Sequence, residues 1–109
     1  MVYLTHDHYY KDQSHKTLEE RAKTNFDHPD SLETDLLVTH LKDLKAGKQA
    51  NLPTYDFATH CRTPVTSYVH PKRIIIVEGI LVLTHPGLCD EMDIKVFVVS
   101  LFLSYHFTC

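Results

Sequence analysis

The chain has 109 residues, 43% of them hydrophobic and 23% charged, which is the size and balance of one globular domain. A net charge of −3 with acids and bases interspersed excludes the basic footprint of a nucleic-acid binder. The longest apolar run, 96–107, is broken by Ser100, Ser104 and His106 and falls short of a membrane span, the start lacks a secretory pattern, and three cysteines without a CxxC point to a reducing, cytoplasmic setting.

In chain order, VYLT (2–5) reads as a strand that ends at His6-Asp7. Residues 9–15 are polar and loop-like. Thr17-Leu18-Glu19-Glu20 has capping-box spacing and predicts a short helix over 17–24. NFDHP (25–29) is a turn, because Pro29 biases His28 away from helix. A longer helix starts at Asp30-Ser31-Leu32-Glu33. Leu32, Leu36, Leu37, Leu41 and Leu44 share one face of it, and Gly47 stands where a C′ glycine belongs. Residues 48–71, punctuated by Pro53, Pro64 and Pro71, read as an irregular hairpin or flap outside the core. Ile74-Ile75-Ile76-Val77 is an unalternating β-branched run, expected to be a strand buried on both faces in a parallel sheet. A short helix over 85–92 and a strand over 93–99 complete an α/β order.

Ligands of open α/β sheets sit beyond the carboxyl ends of the strands. Asp7 and Glu78 occupy such ends. If their strands are neighbours, the paired acids suit a hard cation such as Mg²⁺, and one suits accepting a hydroxyl proton. The plainer alternative is that Asp7 caps a turn and Glu78 is a solvated strand end. Residues 5–15 also hold three histidines, but His6 and His8 flank Asp7 and no HExxH or Cys/His spacing is present, so these read as exposed loop histidines. Tyr55, Phe57, His60 and Arg62 combine aromatic surface with hydrogen-bonding groups. Either they hold a small planar ligand, or the aromatics of a half-buried hairpin pack into the core.

Four motifs together resemble the uridine kinase (uridine-cytidine kinase) family of the P-loop kinase superfamily: DHYYKD (7–12), NFDHP (25–29), LPTYDFATHCR (52–62) and IVEGIL (76–81). The resemblance implies part of a P-loop kinase core, a three-layer α/β fold around a parallel sheet, with a β-hairpin flap. It implies that Asp7 accepts the proton of the ribose 5′-hydroxyl as that oxygen attacks the γ-phosphate of ATP. It further implies that Tyr10 lines the substrate pocket, that Asp27 binds the ribose hydroxyls, that Tyr55, Phe57 and His60 hold the pyrimidine base, and that Glu78, with Asp7, lies at the Mg²⁺ ion. Uridine or cytidine and ATP are the implied substrates, with no nucleic-acid or membrane partner and with room for homo-oligomers in the complete enzyme.

Two family features do not appear in the 109 residues. None of Gly47, Gly79 and Gly87 belongs to a G-x-x-x-x-G-K-[ST] phosphate loop, and SLFLSYHFTC (100–109) does not resemble the arginine-bearing lid. The expected organisation is an incomplete nucleoside-binding part over 1–99 and a divergent tail over 100–109. The isolated chain is expected to lack kinase activity, and an uncovered sheet face is expected to promote aggregation. Two other readings stay open: a non-catalytic nucleoside- or partner-binding remnant of the family, and an unrelated α/β protein with a histidine-bound metal.

Overall fold

The computed structural model describes residues 1–98. Strand β1 (Val2–Thr5) and strand β4 (Ile75–Glu78) pair in parallel, Val2 opposite Ile75 through Thr5 opposite Glu78. Between them the chain forms helix α1 (Leu18–Ala22), helix α2 (Thr34–Lys45) and an antiparallel hairpin of β2 (Ala50–Asp56) and β3 (Cys61–Val69). A single turn, α3 (Pro86–Cys89), follows β4.

Local chemistry sets the helix ends. The Thr17 hydroxyl accepts from the Glu20 backbone N–H at 3.2 Å and donates to the Glu20 carboxylate, so α1 starts as its spacing predicts, though it stops at Ala22. After α2, Gly47 adopts φ +83°, its N–H reaches the Leu44 carbonyl, and the Lys48 N–H reaches the Asp43 carbonyl. This is a Schellman closure around the expected C′ glycine.

The main core lies between α2 and one face of the parallel pair. Leu37, Leu41 and Leu44 of α2 pack on Val2 and Leu4, with Ala50, Val82, Leu83 and Leu88 filling the rim. A second, smaller cluster joins Tyr10, Leu32 and Tyr55 under the hairpin.

Four expectations change. The long helix begins at Thr34, not near Asp30; Pro29–Ser31 is a separate 3-10 turn and Leu32 is extended, bridging Tyr10 and packing in the second cluster. The hairpin is partly core, because Ala50, Pro53 and Tyr55 are buried. Its strands run through Pro53 and Pro64, which a two-stranded hairpin tolerates because each strand has an open edge. Of the run Ile74–Val77, Ile74 is exposed and Ile75, Ile76 and Val77 are only half-buried, with Ile75 and Val77 packed on the core that α2 lines. Residues 93–98 form no ladder: a strand needs a hydrogen-bonded neighbour, and none lies beside them among the described residues. Residue 99 and the tail 100–109 lie outside the described residues.

Candidate functional site

The parallel register sets Thr5 beside Glu78, so both strands deliver an acid to the same edge of the sheet. Asp7 follows two residues after Thr5 in the 3-10 turn His6–Tyr9 and is half-buried; Glu78 ends β4 and is exposed. Gly79 makes this convergence sterically feasible. A Cβ there would stand 2.7 Å from the His6 Cβ and 3.1 Å from Val82. Two carboxylates at adjoining strand ends match the oxygen-donor chemistry of Mg²⁺, which keeps several waters and needs few protein ligands. Among the described residues no cluster of three or more His, Cys, Asp or Glu is placed to hold a metal.

The histidines flanking Asp7 differ from their expected exposure. His6 is buried, and its Nε2 lies 2.9 Å from the Thr34 hydroxyl at the start of α2. Burial, opposed by the Asp7 charge, lowers its pKa to about 4. A neutral ring tied to Thr34 is a structural group. His8 is half-buried with its ring 6.3 Å from Phe57, and His15 is exposed.

Tyr10 is the hub of the second group. It was read as part of a polar loop, but Tyr9 and Tyr10 are both buried. The Tyr10 hydroxyl donates to the Phe26 carbonyl at 3.0 Å, and its ring meets Phe26 edge-on at 5.0 Å and Tyr55 at 5.3 Å. Burial pushes its pKa up to about 12, and the negative charges of Asp7 and Asp27 add to the rise. Asp27 is exposed, in a turn fixed by its backbone N–H donating to Asn25 Oδ1 at 3.2 Å. The Tyr55 ring touches Phe57 at 5.1 Å, and the Tyr55 hydroxyl is buried with no hydrogen-bond partner among the described residues. His60 takes φ +52° in the hairpin turn and stacks on Phe26 at 5.2 Å with 22° between the planes.

Tyr10, Tyr55, Phe57 and His60 thus form one aromatic cluster, with Asp27 beside it and Asp7 on the side of the sheet edge. Sequence reasoning had not singled out Phe26, although it immediately precedes Asp27 and so lay within reach of the motif. Among the described residues, one cavity of ≈ 280 Å³ lies between His6, Thr34 and His85, and another of ≈ 410 Å³ beside Gln13, Asn25 and His28. Neither is lined by Tyr10, Tyr55, Phe57 or His60.

Acids at the carboxyl edge of a parallel sheet, faced by an aromatic hairpin, place the chain among P-loop kinase folds. The same fold recurs in the crystal structure of a kinase assigned to a fructose transport system in Silicibacter sp. TM1040, with a TM-score of 0.60 and 23% identity over 82% of this chain and 44% of that one. The profile of the Phosphoribulokinase / Uridine kinase family matches residues 1–102, and the chain belongs to that family. It is 55% identical over 98 residues to a uridine kinase of Chloroflexus aurantiacus, covering 90% of this chain and 47% of the relative. It is 54% identical over 95 residues to a uridine kinase of Streptococcus gordonii, covering 87% and 45%. A uridine kinase of Bacillus thuringiensis is 52% identical over 98 residues, covering 90% and 46%. The chain therefore spans just under half the length of these curated relatives. No helix among the described residues is long and apolar enough to cross a membrane.

Proposed function

We propose that the chain carries the nucleoside-binding part of a uridine/cytidine kinase, an enzyme that transfers the γ-phosphate of ATP to the 5′-hydroxyl of a pyrimidine ribonucleoside. The observation that supports this most is the aromatic group built on Tyr10, whose ring meets Tyr55 of the hairpin and Phe26, the residue just before Asp27. In this reading the base lies against the rings of Phe57 and Phe26, displacing His60 from its stack. The Tyr55 hydroxyl, buried and unpaired, and His60 supply hydrogen bonds to the base edge. Asp27 takes the ribose hydroxyls. Asp7 accepts the 5′-hydroxyl proton as the oxygen attacks.

Phosphoryl transfer depends on positioning and charge neutralisation more than on covalent chemistry by the protein. Asp7 and Glu78 would hold Mg²⁺, which supplies charge neutralisation at the phosphates when bound. The 109 residues contain no phosphate-cradling G-x-x-x-x-G-K-[ST] loop, so on their own they bind nucleoside without phosphorylating it. That feature also favours a second reading, a family remnant that binds and does not catalyse. A cytoplasmic location goes with either, and the complete enzyme leaves room for homo-oligomers.

The test is an NMR titration of the full chain with uridine, paired with an assay for UMP in the presence of ATP and Mg²⁺. Saturable shifts at Tyr10, Phe26 and His60, abolished by Asp27→Ala, with no UMP formed, are expected. Absence of any shift would remove the nucleoside reading, and UMP production by the chain alone would overturn its assigned inactivity.

A further inference from the structure

Three segments carry the candidate nucleoside contacts: the 3-10 turn with Asp7 and the residue just after that turn, Tyr10, the 25–33 connection with Phe26 and Asp27, and the β2–β3 hairpin with Tyr55, Phe57 and His60. One side chain joins all three. Arg62 of β3 donates from Nη1 to Glu33 Oε1 at 3.0 Å and from Nη2 to the Tyr10 carbonyl at 2.9 Å. Glu33 is itself tied to the turn, its backbone N–H donating to the Tyr9 carbonyl at 2.7 Å. Arg62 is mostly buried, and its Nε has no hydrogen-bond partner among the described residues. The orientation of its guanidinium is therefore set by acceptors on two other elements. Arg62 also stands directly opposite Tyr55 in the hairpin register, so the two side chains leave the hairpin on one face.

We infer that Arg62 is a positioning residue: its fork clasps the hairpin to the Tyr10 segment and the start of α2, and fixes the aromatic cluster for the nucleoside without touching it. The planar fork matters, because two acceptors are met at fixed geometry and a lysine ammonium meets them as a point charge. The inference rests on the nucleoside-binding reading above and deepens it. Without the clasp the hairpin stays a hairpin, since β2 and β3 still pair, but it swings relative to Tyr10.

The experiment compares the full-length wild-type chain with Arg62→Gln, Arg62→Lys and Glu33→Gln by uridine titration and by the ring-proton shifts of Tyr10 and Tyr55 in the free protein. Arg62→Gln is expected to weaken uridine at least tenfold and to move both sets of ring shifts. Glu33→Gln is expected to stay within threefold, because the link to the Tyr10 carbonyl survives. Arg62→Lys is expected to behave like Arg62→Gln, and it replaces that variant as the readout if Arg62→Gln fails to fold. Wild-type affinity and unmoved ring shifts in the arginine variants would overturn the inference. So would equal weakening in Glu33→Gln with lost amide protection across α2, which is the signature of a stability role alone. If wild type shows no uridine response, the nucleoside reading fails separately. The clasp is then decided in the free chain: moved Tyr10 ring shifts in Arg62→Gln uphold it, and unmoved ones refute it.

Discussion

His6 has 2% of its surface exposed and a ring whose pKa burial lowers to about 4. The unfolded chain takes up that proton below about pH 6.5, and the folded chain only near 4. Stability is therefore full above pH 6.5 and is lost as pH falls through that window, by about 3 kcal/mol at most for this one group. Denaturant midpoints at several pH values check this: His6→Gln should flatten the loss between pH 6.5 and 4, and an unchanged slope would reject the assignment. The neighbouring Gly79 poses a steric problem. Its absent Cβ is what lets the end of β4 lie against His6. Gly79→Ala should cost about 1–3 kcal/mol by overpacking, measured by equilibrium unfolding, and should move Glu78 away from Asp7. The acids were legible in the sequence because strand ends in α/β sheets are where ligands sit. The burial of His6 was not, because its partner Thr34 lies 28 positions away and the local pattern of residues 5–15 is polar.

At the level of elements, α2 was legible in its leucines and its glycine stop, and misread at its start. Leu32 fits the helical stripe by spacing, yet it is extended and packs with Tyr10 and Tyr55 instead. Periodicity counts apolar residues; it does not say which of two cores receives them. The true stripe supports a direct prediction. Leu41 is buried between α2 and the sheet, so Leu41→Ala should cost about 2–5 kcal/mol, a large part of the 5–15 kcal/mol typical of a domain. Thermal or urea melts followed by circular dichroism measure it. The hairpin behaves oppositely. Phe57 is 54% exposed at its tip, so Phe57→Ala should change stability by no more than about 0.5 kcal/mol. It should nevertheless weaken uridine about tenfold, a loss of about 1.4 kcal/mol of aromatic contact. A Phe57→Ala chain that melts early, or binds uridine unchanged, contradicts the division between core and site drawn here.

Among the described residues of the whole molecule, the parallel pair of strands is covered on one side. Val2 and Leu4 pack in the core with α2, whereas Tyr3 is 61% exposed, and Ile74, Ile94, Val96 and Val98 are exposed too, Ile94 at 83%. The β-branched run was read as buried on both faces because parallel sheets almost always are. The sheet is of that parallel class, with β1 paired to β4. The expected burial is not found among the described residues, because coverage is a property of what packs from elsewhere and the run itself encodes only its demand for cover. Exposed apolar surface of that kind drives association. The purified chain is therefore expected to self-associate reversibly as its concentration rises from micromolar to millimolar, and to bind a hydrophobic dye. Ile74→Lys with Ile94→Lys should suppress both effects without loss of helix content, since neither residue belongs to the packed core. Sedimentation velocity across that range decides the matter. A strictly monomeric, dye-negative chain would show that these side chains are covered in solution, and association undiminished by the two lysines would place the sticky surface elsewhere.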